Sequence, residues 1–146
     1  MRVRMTQARP TADDAREHRS LTSGEMYFVI GVDDSNYRVV DDFGEPVLFP
    51  KTIFQVLERS IPAGWVLHDY EDSYYLDPDA TAQPGFYEDW FGSDGDHAAE
   101  LRAHEALKRT LLDMRAWVDA ADQALIDRDV SRLEAAAARR TWRAGS

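Results

Sequence analysis

From Met26 onward, apolar and polar positions alternate in short bursts separated by turn-forming residues. Met26, Phe28 and Ile30 alternate with Tyr27, Val29 and Gly31, which predicts a strand with apolar residues on both faces. Asp33-Asp34-Ser35-Asn36 is a turn cluster, Tyr37–Val40 a second strand, and Asp42-Phe43-Gly44-Glu45 a second tight turn. Pro46–Phe49 is a third strand, Pro50–Ile53 a single helical turn, and Phe54–Leu57 a fourth strand. Trp65–Leu67 and Ser73–Leu76 read as two more strands joined at Glu71-Asp72. The period then changes. Pro84 opens a short helix that ends at Gly92, and the stripe Leu101, His104, Leu107, Leu111, Met114 and Val118 predicts a long helix over 94–126. Ser93 or Asp94 caps it, with Asp96 in the first turn. Asp127-Arg128-Asp129 breaks the stripe, Asp129 caps a last helix to about Trp142, and the short connection makes the two helices antiparallel.

The first twenty residues lack periodicity and contain Pro10. They are expected to be a flexible polar tail, with at most a short helix at Ala12–His18. A barrel of about 35 residues buries too little surface to stand alone. One compact domain over 21–146 is therefore expected, made of a β part (21–60), an aromatic acidic segment (61–92) and a helical hairpin (93–146). The fold class is α+β, with a small antiparallel β-barrel or meander.

Composition adds two constraints. Hydrophobic residues are 44% and charged residues 30%, a globular balance, and the absence of cysteine excludes disulfides, thiolate metal sites and a cysteine nucleophile. No apolar run approaches the roughly 20 residues of a membrane span, and the N-terminus has arginines without an apolar core behind them. A soluble, cytoplasmic protein is the expectation, a monomer or weak homodimer. The net charge of −10 is uneven, because residues 21–100 hold 17 acids against three bases while both flanks are slightly basic. Such a segment repels nucleic acid and anionic membrane and attracts basic partners.

The run GEMYFVIGVDDSNYRVVDDFGEPVLFPKTIFQVLE, about residues 24–58, resembles the small SH3-like β-barrels of short bacterial and phage proteins. The likeness rests on Tyr27-x-Val29, the hairpin at Asp33 and Asp34, Tyr37-x-Val39, the Asp42-x-Gly44-Glu45 turn, and Phe49-Pro50-Lys51 leading to Phe54. The resemblance implies a binding module. Some members of that group lie beside toxin genes and look like immunity proteins. It carries over no catalytic residues.

Candidate chemistry is sparse. Asp94, Asp96, His97, Glu100 and His104 have the composition of a ligand cluster, but lack His-Glu-x-x-His spacing and suit a helix N-terminus. Asp77-Pro78-Asp79 starts like a calcium loop and fails at Ala82, where glycine is needed. No serine lies in a nucleophile elbow, and no phosphate-binding loop occurs. Neither a catalytic residue, a metal nor a cofactor is expected. The basic ends, Arg2, Arg4 and Arg9 and then Arg139, Arg140, Trp142 and Arg143, are small patches on an acidic body, so direct nucleic-acid binding is not expected.

The strongest constellation is a contact face. Asp69, Glu71, Asp72, Asp77 and Asp79 interleave with Tyr70, Tyr74 and Tyr75, and Glu88 and Asp89 sit between Tyr87 and Trp90. Tyrosine and tryptophan give rigid contact area, and carboxylates receive arginine and lysine. The competing reading makes Trp65, Tyr75, Phe86 and Trp90 core and the acids their exposed neighbours. The function expected from the sequence is an acidic module that neutralises or regulates a basic partner, such as an immunity protein against a toxin nuclease. The alternatives are a DNA mimic, a small hydrolase using carboxylates of residues 69–89, or an assembly subunit docking through its helical hairpin.

Overall fold

The computed structural model describes residues 1–6, 20–93 and 95–145. Among these, seven strands form one antiparallel sheet: β1 (Arg2–Met5), β2 (Met26–Asp33), β3 (Asn36–Val40), β4 (Pro46–Pro50), β5 (Phe54–Glu58), β6 (Trp65–Asp69) and β7 (Tyr74–Pro78). Three helices come after them: α1 (Phe86–Trp90), α2 (His97–Met114) and α3 (Ala120–Gly145). None of the described helices is long and apolar enough to cross a membrane.

The strands run in the order β4-β3-β2-β1-β5. One edge of β2 is shared, with Val3 of β1 opposite Tyr27 and Leu76 of β7 opposite Val32, and β6 pairs β7 outside it. β4 and β5 end the main path without pairing to each other, so the sheet stays open where a closed barrel was one expectation.

The expected tail is corrected at its start. Arg2–Met5 is a strand between β2 and β5, because Val3 and Met5 alternate inward while Arg4 faces out. Each such buried side chain contributes about 1.5–3 kcal/mol, enough to hold a four-residue strand against fraying. Arg2 also reaches both Asp119 and Asp122 at 3.0 Å. The expected helix at Ala12–His18 lies outside the described residues.

A bulge in β2 decides what its two faces do. Val29 opposes Val39 but Gly31 opposes Arg38, so Ile30 is the extra residue. Phe28 and Ile30 pack with Trp90, Leu107, Leu111 and Ile126 beneath the helices. Tyr27, Val29 and Val32 pack with Val3, Val39 and Phe49 in a second core on the other side.

Two helix boundaries are also corrected. Asp96, rather than Ser93 or Asp94, caps α2, its carboxylate accepting from the Ala99 amide at 3.1 Å; Asp94 is not among the described residues. The break between the long helices falls at Arg115–Trp117 and the extended Val118, where Asp119 accepts from the Asp122 amide at 2.8 Å. Asp127-Arg128-Asp129 breaks nothing: all three lie inside α3, where Arg115 holds Asp127 and Asp129 turns into the core. The hairpin is antiparallel, as Arg115–Asp127 (2.7 Å), Lys108–Glu134 (3.8 Å) and Arg140–Glu100 (3.3 Å) show in turn.

Asp129, expected as a cap, is instead fully buried in mid-helix. Its carboxylate oxygens have no hydrogen-bond partner, and Arg128 Nη2 stands 3.6 Å away, too far for a good one. Burial pushes the carboxyl up to about 8. An unfolded aspartate titrates near 4, so between about pH 4 and 8 the folded chain holds a proton that the unfolded chain has lost. Stability therefore falls as pH rises through that window, with a slope approaching ~1.4 kcal/mol per pH unit. Asp129→Asn is expected to remove this slope, so its urea midpoint should gain on that of the parent chain between pH 5 and 8. A constant difference between the two chains would refute the assignment.

Candidate functional site

The sheet pairings bring one set of side chains to one face. Leu48 opposes Arg38, Arg38 opposes Gly31, Asp33 opposes Tyr75, and Tyr75 and Asp77 oppose His68 and Val66. Where this face runs past the helices, the segment carrying Gln83, Gly85, Phe86, Tyr87 and Glu88 covers it from one side. The result is a cleft of about 180 Å³.

Gly31 makes the cleft possible. A Cβ there would overlap Asp77 Oδ1 and approach the Arg38 Cβ to 3.3 Å. Arg38 forms one wall, donating to the Pro46 carbonyl at 2.7 Å with its guanidinium 3.6 Å above the centre of the Tyr87 ring. Burial lowers the Arg38 pKa from its ordinary value, partly offset by Tyr87, Asp77 and Asp33. The Tyr87 hydroxyl is buried with no hydrogen bond of good geometry, the Thr81 side chain being close enough to offset a little of the burial that pushes the phenol upward.

Asp77 is the chemically distinctive group. Its half-buried carboxylate has no hydrogen bond or ion pair among the described residues. Burial pushes it up to about 6; the charges of Arg38 and His68 pull it down and that of Asp33 pushes it further up. Asp33 is already occupied, its Oδ1 accepting from the amides of Ser35 (2.8 Å) and Asn36 (2.7 Å) to close the β2–β3 turn.

The residues expected at a contact face divide into three groups. Asp69, Tyr70, Glu71 and Asp72 form the exposed tip of the β6–β7 hairpin, and Tyr75 is exposed beside them with its ring edge-on to Tyr70 at 6.1 Å. Asp77, Tyr87 and Glu88 line the adjoining cleft. The remainder do not contribute to that surface. Tyr74 is half-buried with its hydroxyl accepting from Lys51 Nζ at 2.9 Å, Asp79 borders a different hollow beside Trp117, and Asp89 is half-buried and engaged. Trp90 is fully buried and so is core rather than contact face.

Trp90 instead anchors a polar knot. His104 stacks on it at 3.6 Å and 7°. Arg140 holds both oxygens of Glu45 at 2.8 and 2.7 Å, the Trp90 carbonyl at 2.9 Å and Glu100 at 3.3 Å, and lies 2.9 Å from His104 Nε2. Burial and the Arg140 charge hold the His104 pKa below its ordinary value. The neutral imidazole thus accepts at Nε2. The helix-start cluster is thereby dispersed, with Asp96 capping and His104 bound to Arg140; among the described residues no group of three or more acidic or histidine side chains could hold a metal ion. The basic ends also serve the fold, since Arg139 donates to the Phe43 carbonyl at 2.6 Å. The side chains of Trp142 and Arg143, and all of Arg9, are outside the described residues.

Sequence reasoning missed Arg38, Asp33 and Gly31 as cleft residues. A signal was present: Arg38 is one of only three bases in residues 21–100 and interrupts the apolar run Tyr37–Val40. No family model, curated protein or solved structure matches the chain.

Proposed function

We propose that the protein is an acidic binding module that neutralises or regulates a basic protein partner through the β6–β7 hairpin and the adjoining cleft. One observation carries this reading: where the negative charge is left unpaired. Glu45, Asp42, Asp119, Asp122 and Asp127 are tied to arginines, and Asp33 and Asp96 close turns or caps. Asp69, Glu71 and Asp72 have no such partner among the described residues, and they stand beside the exposed Tyr70 and Tyr75. Charge with aromatic anchors suits a partner bearing lysine and arginine, captured quickly and in a salt-sensitive way.

The path β4-β3-β2-β1-β5, with a 3-10 turn before β5, supports reading the β part as an opened SH3-like barrel. A toxin nuclease is then the partner class of choice. The hydrolase reading would draw on Asp77 and the exposed Glu88 of the same cleft. A glycosidase needs two working carboxyls, and Asp33 is held in a turn. A DNA mimic needs ordered rows of free acids, whereas many acids here are neutralised internally.

Capture from a lysate of the source cells at low salt tests the proposal. A basic protein should be retained by the parent chain and lost by the variant D69N/E71Q/D72N. Retention of no basic protein, or equal retention by both chains, would end it.

A further inference from the structure

We propose that the cleft between β7 and α1 is a socket for one basic side chain, with Asp77 as the group that pairs with its charge. This rests on the binding-module reading and names what the partner inserts. The size is suitable: a cavity of roughly 150 Å³ holds a benzene ring, and this one is about 180 Å³. Its walls supply both kinds of surface such a side chain needs. Leu48, Tyr75 and Phe86 can cover a methylene stem, while the charged head needs carboxylates.

The charge balance favours a cation. Asp33, Asp77 and Glu88 line the cleft against the single cation Arg38, which is already committed to the Pro46 carbonyl and the Tyr87 ring. Asp77 is partly stripped of water yet has received no donor in exchange. A half-desolvated acceptor facing a cavity is stabilised by an incoming guanidinium or ammonium, which restores the lost hydrogen bonds with a charge-assisted one. Gly31 appears in the same design, because any larger residue would drive the Asp77 carboxylate out of position.

The groups facing Asp77 are Arg38 from β3, Asp33 from β2, His68 from β6, and Tyr87 and Glu88 from α1. Since burial pushes the Asp77 carboxyl up to about 6, it takes up a proton as pH falls through that value. Cation binding should weaken correspondingly below pH 6.

The test is an amide NMR titration of the full chain with N-acetyl-arginine amide and N-acetyl-lysine amide. N-acetyl-citrulline amide, similar in shape to the arginine probe but uncharged, is the control. At pH 7.5, at least one basic probe should give saturable millimolar shifts centred on Asp33, Tyr75, Asp77, Gly85 and Glu88, and citrulline should give none. D77N should weaken the binding at least tenfold. G31A should do the same while keeping the charge, as it displaces the carboxylate. Unsaturable shifts, shifts scattered over all the acidic turns, equal shifts with citrulline, or undiminished binding by D77N would each overturn the socket. The outcomes also separate the two readings. If D77N still captures a basic protein and the probes do not bind, the socket falls and the hairpin face stands. If the probes bind but no basic protein is ever captured, the socket stands and the binding-module reading falls.

Discussion

Gly44→Ala should destabilise the fold by about 3 kcal/mol, while Gly64→Ala should cost only about 1 kcal/mol. Both glycines have positive φ, +81° and +91°. For an alanine this conformation costs roughly 1–2 kcal/mol at either position. The difference lies in the surroundings. A Cβ at Gly64 meets nothing within 4 Å, whereas one at Gly44 overlaps the Arg132 carbonyl and lies 3.0 Å from the Ala136 Cβ. That obstacle is helix backbone, which cannot rotate aside as a side chain can. The β3–β4 turn or α3 must move, and both carry polar ties: Asp42–Arg132 at 3.4 Å and Glu45–Arg140 at 2.7 Å. Urea unfolding of the two variants side by side measures the difference. Equal losses would mean that α3 does not seat on the turn as described.

Arg140→Met is the second large effect, an expected loss of about 2–3 kcal/mol. Breaking a buried ion pair by removing one partner costs roughly 3–5 kcal/mol. Arg140 and Glu45 are each about a quarter exposed, so solvent screening reduces that figure. Methionine keeps much of the volume but leaves the Glu45 carboxylate with only the Trp90 indole at 3.2 Å and takes the donor from the Trp90 carbonyl and the His104 nitrogen. The variant has a second readout. His104 is held below its ordinary value by burial first and the Arg140 charge next. A lowered histidine contributes stability that is present above its unfolded value near 6.5 and is lost as pH falls through the folded one. Without Arg140 the depression shrinks, so the His104 resonances should titrate at higher pH and this part of the acid sensitivity should lessen. Unchanged stability together with an unchanged His104 titration would show that Arg140 does not hold the helices to the turn.

How far these features could be read from the sequence depended on whether they were local. The strands at 26–33, 36–40, 46–50 and 54–58 carried their own alternation and turn residues, as did the hairpin joined at Glu71-Asp72. β1 did not stand out, because a four-residue strand has too few positions to show a period, and its partners Tyr27 and Val56 are far along the chain. Asp127-Arg128-Asp129 looks like a polar interruption in sequence, whereas the break lies earlier, at Arg115–Trp117. In the fold Asp129 points inward, and Asp119 closes the start of α3. Local chemistry does not reveal which of two similar polar clusters a core will accept.

The candidate site divided along the same line. The acidic hairpin tip was legible as composition. The cleft was not, because Arg38, Asp33 and Asp77 come from three strands that meet only through sheet register and the bulge after Val29. Trp90 and Tyr75 look alike in sequence, each an aromatic among acids. The helices cover Trp90, while the edge of the hairpin leaves Tyr75 open.

Unpaired charge on the β6–β7 hairpin is proposed to recruit the basic partner. The most direct test is the association rate constant of the captured partner as a function of salt, for the parent chain and D69N/E71Q/D72N. Electrostatic steering raises such rates by roughly 10–1,000-fold at low ionic strength. The parent rate should therefore fall steeply with added salt, and the neutralised variant should start at least tenfold lower and respond weakly. Equal rates for the two chains at low salt, with the same salt slope, would contradict the account.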